Sequence, residues 1–253
     1  AVAAPEPAPP PEPLPAAPPE PAALPTPAPT PAPIPTPARP LPKAASLPEA
    51  GWATYPTTVR EIESARQEFA AAPDREAARE YLYDAITTRL IPAWRGTPWT
   101  FYGHAEVPGD EPVACGYWVA SVLRDVGFRV DRDPLGRQAS ERILLTFAAK
   151  KSLHHFGNSP PETIVEWATK QGRGLWGVGL ANHAGLLWND GEEVRFCHSN
   201  YNGQRGPMCE NALFSGPFQT SYTVVASMLA DATVDAWIAG RTLPIASFDR
   251  AGG

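Results

Sequence analysis

From residue 58 onward the apolar positions fall into short, punctuated stretches. Val59, Ile62, Ala65 and Phe69 recur at helical spacing behind Thr58 and Glu61. That pair is the Thr-x-x-Glu arrangement in which each side chain satisfies the other's free backbone N–H, so a first helix is predicted over residues 58–70. Asp74 is placed to cap a second, with Ala78, Leu82, Ala85 and Ile86 on its buried face and Pro92 as its stop. Trp118, Val119, Val122, Leu123 and Val126 form one face of a helix that begins at Cys115 and ends at Gly127. Residues 140–150 predict another helix, with Ile143, Leu144 and Phe147 inward. Ser159-Pro160-Pro161-Glu162 supplies a cap, a proline at the first helical position and a capping-box glutamate for a helix running to Gly172. A short capped helix is expected from Asp231 to Gly240.

After residue 174 the period changes. Leu175 to Leu180 is a short apolar run, and His183 to Trp188 and Glu193 to His198 flank Asp190-Gly191. Asp-Gly between two apolar runs predicts a hairpin closed by a two-residue type I′ turn. That register sets Leu187 opposite Val194, Gly185 opposite Phe196 and His183 opposite His198. Opposed residues share a face with Cβ atoms about 4.5–5.5 Å apart, so the two imidazoles can hydrogen-bond or share a water. Cys197 points the other way, which argues against a zinc site shared with His198. Tyr222 to Met228 reads as a further strand, and the whole as an α+β fold with antiparallel pairing.

Composition divides the chain. Of its 32 prolines, 20 lie in residues 1–50, in runs such as Pro9-Pro10-Pro11. Such a segment favours extended polyproline II and has little to bury, so residues 1–50 read as a disordered tether or spacer in preference to an SH3-type ligand. Residues 51–253 have the composition of one globular domain. The net charge of −6, without a basic stripe, argues against nucleic acid as the main partner. No run of 18 apolar residues predicts a membrane span. The chain starts at Ala1, which fits removal of an export signal and a periplasmic or extracellular location. Three cysteines leave one unpaired in an oxidising compartment. Cys197 and Cys209 are close enough in sequence to pair, leaving Cys115 free; two buried thiols fit equally well.

Candidate chemistry gathers at Cys115. A lone cysteine is commonly a small buried apolar residue. This one stands at a helix start, where the positive end of the dipole favours the thiolate nucleophile. His183 and His198, side by side across the hairpin, suit a base and its orienter, and Asn200 is a reserve for the second role. The loop before Cys115, Trp94 to His104, is dense in aromatics, and Trp99, Phe101 and Tyr102 are candidates to line a substrate cleft, Tyr102 also as a hydroxyl donor. His104 reads as an exposed loop histidine. His154 and His155, between two helices, lack carboxylates or cysteines at ligand spacing.

Ala114-Cys115-Gly116-Tyr117-Trp118-Val119, His183-Ala184-Gly185-Leu186-Leu187 and Phe196-Cys197-His198-Ser199 follow one another in the order of nucleophile, base and third residue. In this the chain resembles the NlpC/P60-like branch of the papain-like cysteine peptidases, over roughly residues 94–228. Gly96 to Gly103 is similar to that family's loop before the cysteine. Ala114 and Tyr117 stand where the family usually has Asp and Gly, Gly174-Leu175-Trp176-Gly177 stands in place of its Gly-Asp-Leu strand, and the interval from Cys115 to His183 is long. These features mark a divergent branch.

The resemblance implies a papain-like NlpC/P60 fold: an antiparallel sheet packed on the helix that carries the cysteine, with added helices. It implies a thiol hydrolase with a Cys115-His183-His198 triad, no metal or organic cofactor, and peptidoglycan peptides as substrate. The spacer would let the domain reach the wall. The alternatives are a Cys-dependent amidase, esterase or acyltransferase acting elsewhere, and a catalytically silent wall-binding module built on the aromatic cleft.

Overall fold

The computed structural model describes residues 50–246. The Pro/Ala-rich tether therefore lies, but for its last residue, outside the described residues. Helix α1 (Ala50–Ala71) begins eight residues before the Thr58–Glu61 pattern and passes through Pro56. Tertiary anchors draw it back: the buried Tyr55 hydroxyl donates to Asp125 at 2.7 Å and accepts from the Trp94 indole N–H at 3.1 Å. Helix α2 (Arg75–Asp84) is capped by Asp74, whose carboxylate accepts the Ala77 N–H. It runs through a π-helical turn (Ala85–Leu90) into a last turn, α3 (Ile91–Ala93). Pro92, expected to stop this helix, falls instead inside the continuous run, at the join between the π-helical turn and α3.

Helix α4 (Cys115–Asp125), the short α5 (Arg132–Gly136) and α6 (Ser140–Phe147) follow. Next come β1 (His154–Gly157), α7 (Pro161–Gln171), β2 (Gly174–Leu180), β3 (Ala184–Asn189), β4 (Val194–Asn200), β5 (Gly206–Asn211), β6 (Tyr222–Ser227) and α8 (Asp231–Ile238). The cap of α7 is Pro160 rather than Ser159, whose hydroxyl turns back to the Gly157 carbonyl. The strands form one six-stranded sheet, ordered β1-β6-β2-β3-β4-β5 and antiparallel at every step. The protein is thus α+β. Two strands, β1 and β5, carry no apolar alternation. They are the sheet's two edges and have few side chains to bury, so pattern reading passes over them.

The pleat sorts the strand residues between two cores. Leu175, Ala184, Leu186, Cys197, Val224 and Ala226 face the layer that contains α4, with Trp118, Val119, Val122, Leu123 and Val126 all buried in it. Val178, Leu187, Val194, Phe196 and Val225 face Ile164 and Ala168 of α7, with Phe218 closing that side. Each fully buried Val, Leu, Ile or Phe side chain among them contributes about 1.5–3 kcal/mol.

The β3–β4 register differs from the one expected. Leu187 lies opposite Phe196 and Asn189 opposite Val194, two residues away from the type I′ pairing. The connection is a four-residue loop because the Asp190 carboxylate accepts the N–H groups of both Glu192 and Glu193 at 2.9 Å, while the Asn189 side chain accepts that of Gly191. Local Asx hydrogen bonding outcompetes the tight turn. A shift of two preserves faces, so every side chain keeps its side of the sheet. No helix among the described residues is long and apolar enough to cross a membrane.

Cys197 and Cys209 are directly opposed on β4 and β5 and form a disulfide; Cys115 is free. Closing so short a loop should remove about 3 kcal/mol of unfolded-state freedom. Urea unfolding of the Cys197→Ala/Cys209→Ala protein should show a loss of that order, and an unchanged midpoint would deny the bridge a stabilising role.

Candidate active site

The strand β4 holds both halves of the site. On one face the buried Ser199 hydroxyl donates to the Val113 carbonyl at 2.7 Å, tying the segment before Cys115 to the sheet. That segment is further held where Ala114 N–H donates to Gly103 and Val113 N–H to Pro98. Gly116 lets α4 approach α5: a Cβ there would lie 2.4 Å from the Gly136 carbonyl oxygen. Ala114 caps α4 with extended backbone and no side-chain hydrogen bond, so the first-turn N–H groups have no capping acceptor.

The half-buried Cys115 sulfur is faced by the backbone N–H groups of Ala184, Gly116 and Cys115 itself. Burial nevertheless pushes the thiol above its ordinary range, and these donors only partly offset it. The helix start alone pointed to a thiolate; in the folded site desolvation wins and the resting group is the thiol.

On the other face of β4, His198 stacks on Phe196, with ring centroids 4.6 Å apart and planes 18° apart. Its Nδ1 lies 2.8 Å from Nε2 of His183, which sits at the end of the turn before β3. The two rings meet edge to face at 87°, and the pair is diagonal rather than directly opposed, as the shifted register requires. Both are buried, His183 to 3% exposure and His198 to 0%. Burial, with the neighbouring His198 adding to it, lowers His183 to about 3, so it is neutral over the physiological range.

The second nitrogen of His198, Nε2, lies 3.3 Å from Oε1 of Glu210 on β5. Burial would raise the Glu210 carboxyl, but the hydrogen bond with His198 and the nearby Ser215 hydroxyl outweigh it and hold the carboxyl below its ordinary value. Ser215 itself is buried and makes no well-formed hydrogen bond, so His198 is the firmer partner.

The structure brings together His183 and His198, and the backbone N–H of Ala184, the residue after His183, favours the charged form of the Cys115 thiol. No hydrogen bond among the described residues joins the thiol to the His183 ring. Asn200 is turned away from the pair: its amide donates to Met208 sulfur and its oxygen accepts from Asn202 N–H. Trp99 reaches the site through Tyr201, 6.2 Å from it and 5.2 Å from His183 between ring centroids. Phe101 and Tyr102 pack edge to face on each other and are 72% and 86% exposed. His104 is exposed, its backbone paired with Val113. His154 and His155 lie on β1, the edge opposite β5. No group of three or more His, Cys, Asp or Glu among the described residues is arranged to hold a metal ion.

Glu210 and Tyr201 went unnoticed in the sequence. A signal for Glu210 was present: pairing Cys197 with Cys209 across two strands puts the next residue, Glu210, opposite Phe196 and diagonal to His198. Comparison with family models, with curated proteins and with solved structures finds no match to this chain.

The low His183 value has a stability consequence. Between its unfolded value near 6.5 and about 3, the unfolded chain binds the proton and the folded one does not, so stability present at neutral pH falls as the pH drops through that window. The slope contributed by one such group is at most about 1.4 kcal/mol per pH unit. Urea unfolding from pH 7.5 to 4.5 should show a shallower loss in His183→Gln than in the wild type; equal slopes would mean that His183 is not held neutral.

Proposed function

We propose that this protein is a thiol hydrolase that cleaves amide or peptide bonds, with Cys115 as nucleophile, His183 as base and His198 as orienter. One observation carries the reading. The 2.8 Å contact commits His183 Nε2 to His198 and leaves Nδ1 as its only uncommitted ring nitrogen, while the backbone N–H of Ala184, the next residue, is near enough to the Cys115 thiol to favour its charged form. Nδ1 is thus the ring nitrogen left to take the proton of the Cys115 thiol in this reading.

The neutral thiol and neutral imidazole favour proton transfer concerted with attack over a resting ion pair. His183 Nδ1 takes the thiol proton as sulfur adds to the carbonyl carbon. In this reading the backbone N–H groups of the first turn of α4, which have no side-chain cap, would serve the oxyanion, and one such donor is typically worth about 2.7–4 kcal/mol. The imidazolium returns its proton to the leaving amine, giving a thioester. Water, deprotonated by the same nitrogen, then releases the acid and restores the thiol. His198 accepts the Nε2–H throughout and keeps the ring in place.

The substrate class comes from the resemblance to NlpC/P60-like peptidases: the order of the three motifs, and a sheet packed on the helix that carries the cysteine, favour peptidoglycan peptides. Trp99 and Tyr201 would form the wall beside His183. Ala114 and Tyr117 keep a second reading alive, in which the same residues act on another amide or ester.

Purified sacculi incubated with the wild type should release Cys115-dependent peptide fragments visible by mass spectrometry, and Cys115→Ala should release none. His198→Ala should lower the rate by about 10²–10⁴-fold. If small thioester or amide substrates turn over while sacculi remain intact, the second reading replaces the first; if neither reacts, the hydrolase reading is wrong. Iodoacetamide should label Cys115 more slowly than a free thiol at pH 7 and faster as the pH rises past 9, the direction set by the raised thiol.

A further inference from the structure

An imidazole can act as base at Nδ1 only if its single proton resides on Nε2. Nothing in the contact between His183 and His198 decides which ring donates, because each nitrogen can carry the proton. The decision is made one residue further on. His198 Nε2 faces Glu210, whose ionised carboxylate can only accept a hydrogen bond. A proton must therefore sit on His198 Nε2. With that one proton on its ring, His198 presents the lone pair of Nδ1, and the 2.8 Å contact is then donated by His183 Nε2. Neutral His183 is left with a bare Nδ1. Without the carboxylate, His198 is free to carry its proton on Nδ1 and donate to His183, which moves the His183 proton to Nδ1 and blocks the base.

We propose that Glu210 is a positioning residue: acting through His198, it selects the tautomer of His183 that can accept a proton at Nδ1. The role rests on the hydrolase reading for its purpose, but not for its test. The surroundings suit it. Glu210 stands diagonal to His198 on the adjacent strand, and the Cys197–Cys209 disulfide clamps these two strands at the intervening pair of positions. Phe196 stacks on the His198 ring and fixes its plane, so that Nδ1 and Nε2 point at their two partners. As His183 becomes an imidazolium, the same carboxylate lies at the far end of the hydrogen-bonded row, where a negative charge opposes the positive charge that develops.

Long-range ¹H–¹⁵N correlation spectra of the labelled full chain report the tautomer of each histidine. Wild type and Cys115→Ala should both show His183 and His198 protonated on Nε2. Glu210→Met, similar in shape but unable to accept, should shift His183 toward the Nδ1–H form. Its kcat should fall about 10- to 100-fold, with KM little changed, and Glu210→Asp should restore part of both. A wild-type His183 protonated on Nδ1 would overturn the proposal, and so would an unchanged His183 tautomer in folded Glu210→Met. If the variant does not fold, the wild-type spectrum still decides. Should Cys115 have no hydrolytic role, the tautomers would stand as described while no substrate is cleaved, so the two readings fail separately.

Discussion

The alternation of side chains along β4 is the constraint on which the site depends. Ser199 points to the α4 side and holds the Val113 carbonyl, which fixes where Cys115 enters its helix. His198 points to the other side and holds His183. One residue separates these two tasks, and a strand is the only regular backbone that sends neighbouring residues to opposite faces. The disulfide between Cys197 and Cys209 lies on the Ser199 side of the same strand and locks its register with β5. A slip of one residue between β4 and its neighbours would undo the connection to the cysteine and the row of hydrogen-bonded rings together.

Burial and backbone dipoles act against each other at Cys115, and burial is the larger. At an exposed helix start the unpaired N–H groups would lower the thiol. Here the surrounding protein disfavours charge more strongly than three N–H groups favour it. The same low-dielectric surroundings keep His183 neutral. Ionised charge is concentrated instead at Glu210, which is partly open to solvent and reaches the buried rings only through His198. Cys115 and His183 are thus both uncharged at rest, with the Glu210 carboxylate at the outer end of the row.

Much of this was legible in the chain. The helix face from Trp118 to Val126, the free status of Cys115 under a Cys197–Cys209 pairing, and the common face of His183 and His198 follow from period and spacing alone. The face survived an error in register because the Asx hydrogen bonds of Asp190 displaced the hairpin by an even number of residues. An odd displacement would have separated the histidines. Strand β5 left no trace in the pattern, and with it went Glu210, since an edge strand with one neighbour has little apolar surface to declare itself.

What the sequence determined by itself was therefore local and periodic: which residues share a helix stripe or a strand face, and which cysteine is left without a partner nearby. What only the tertiary structure decided was how much water each group loses and which groups meet across elements distant in sequence. Those two quantities set the protonation of Cys115 and His183, turn Asn200 away from the histidine pair and bring Glu210 to His198. Periodicity repeats within a few residues and can be read along the chain, whereas desolvation and long-range contact exist only once the α4 layer and the sheet have closed on one another.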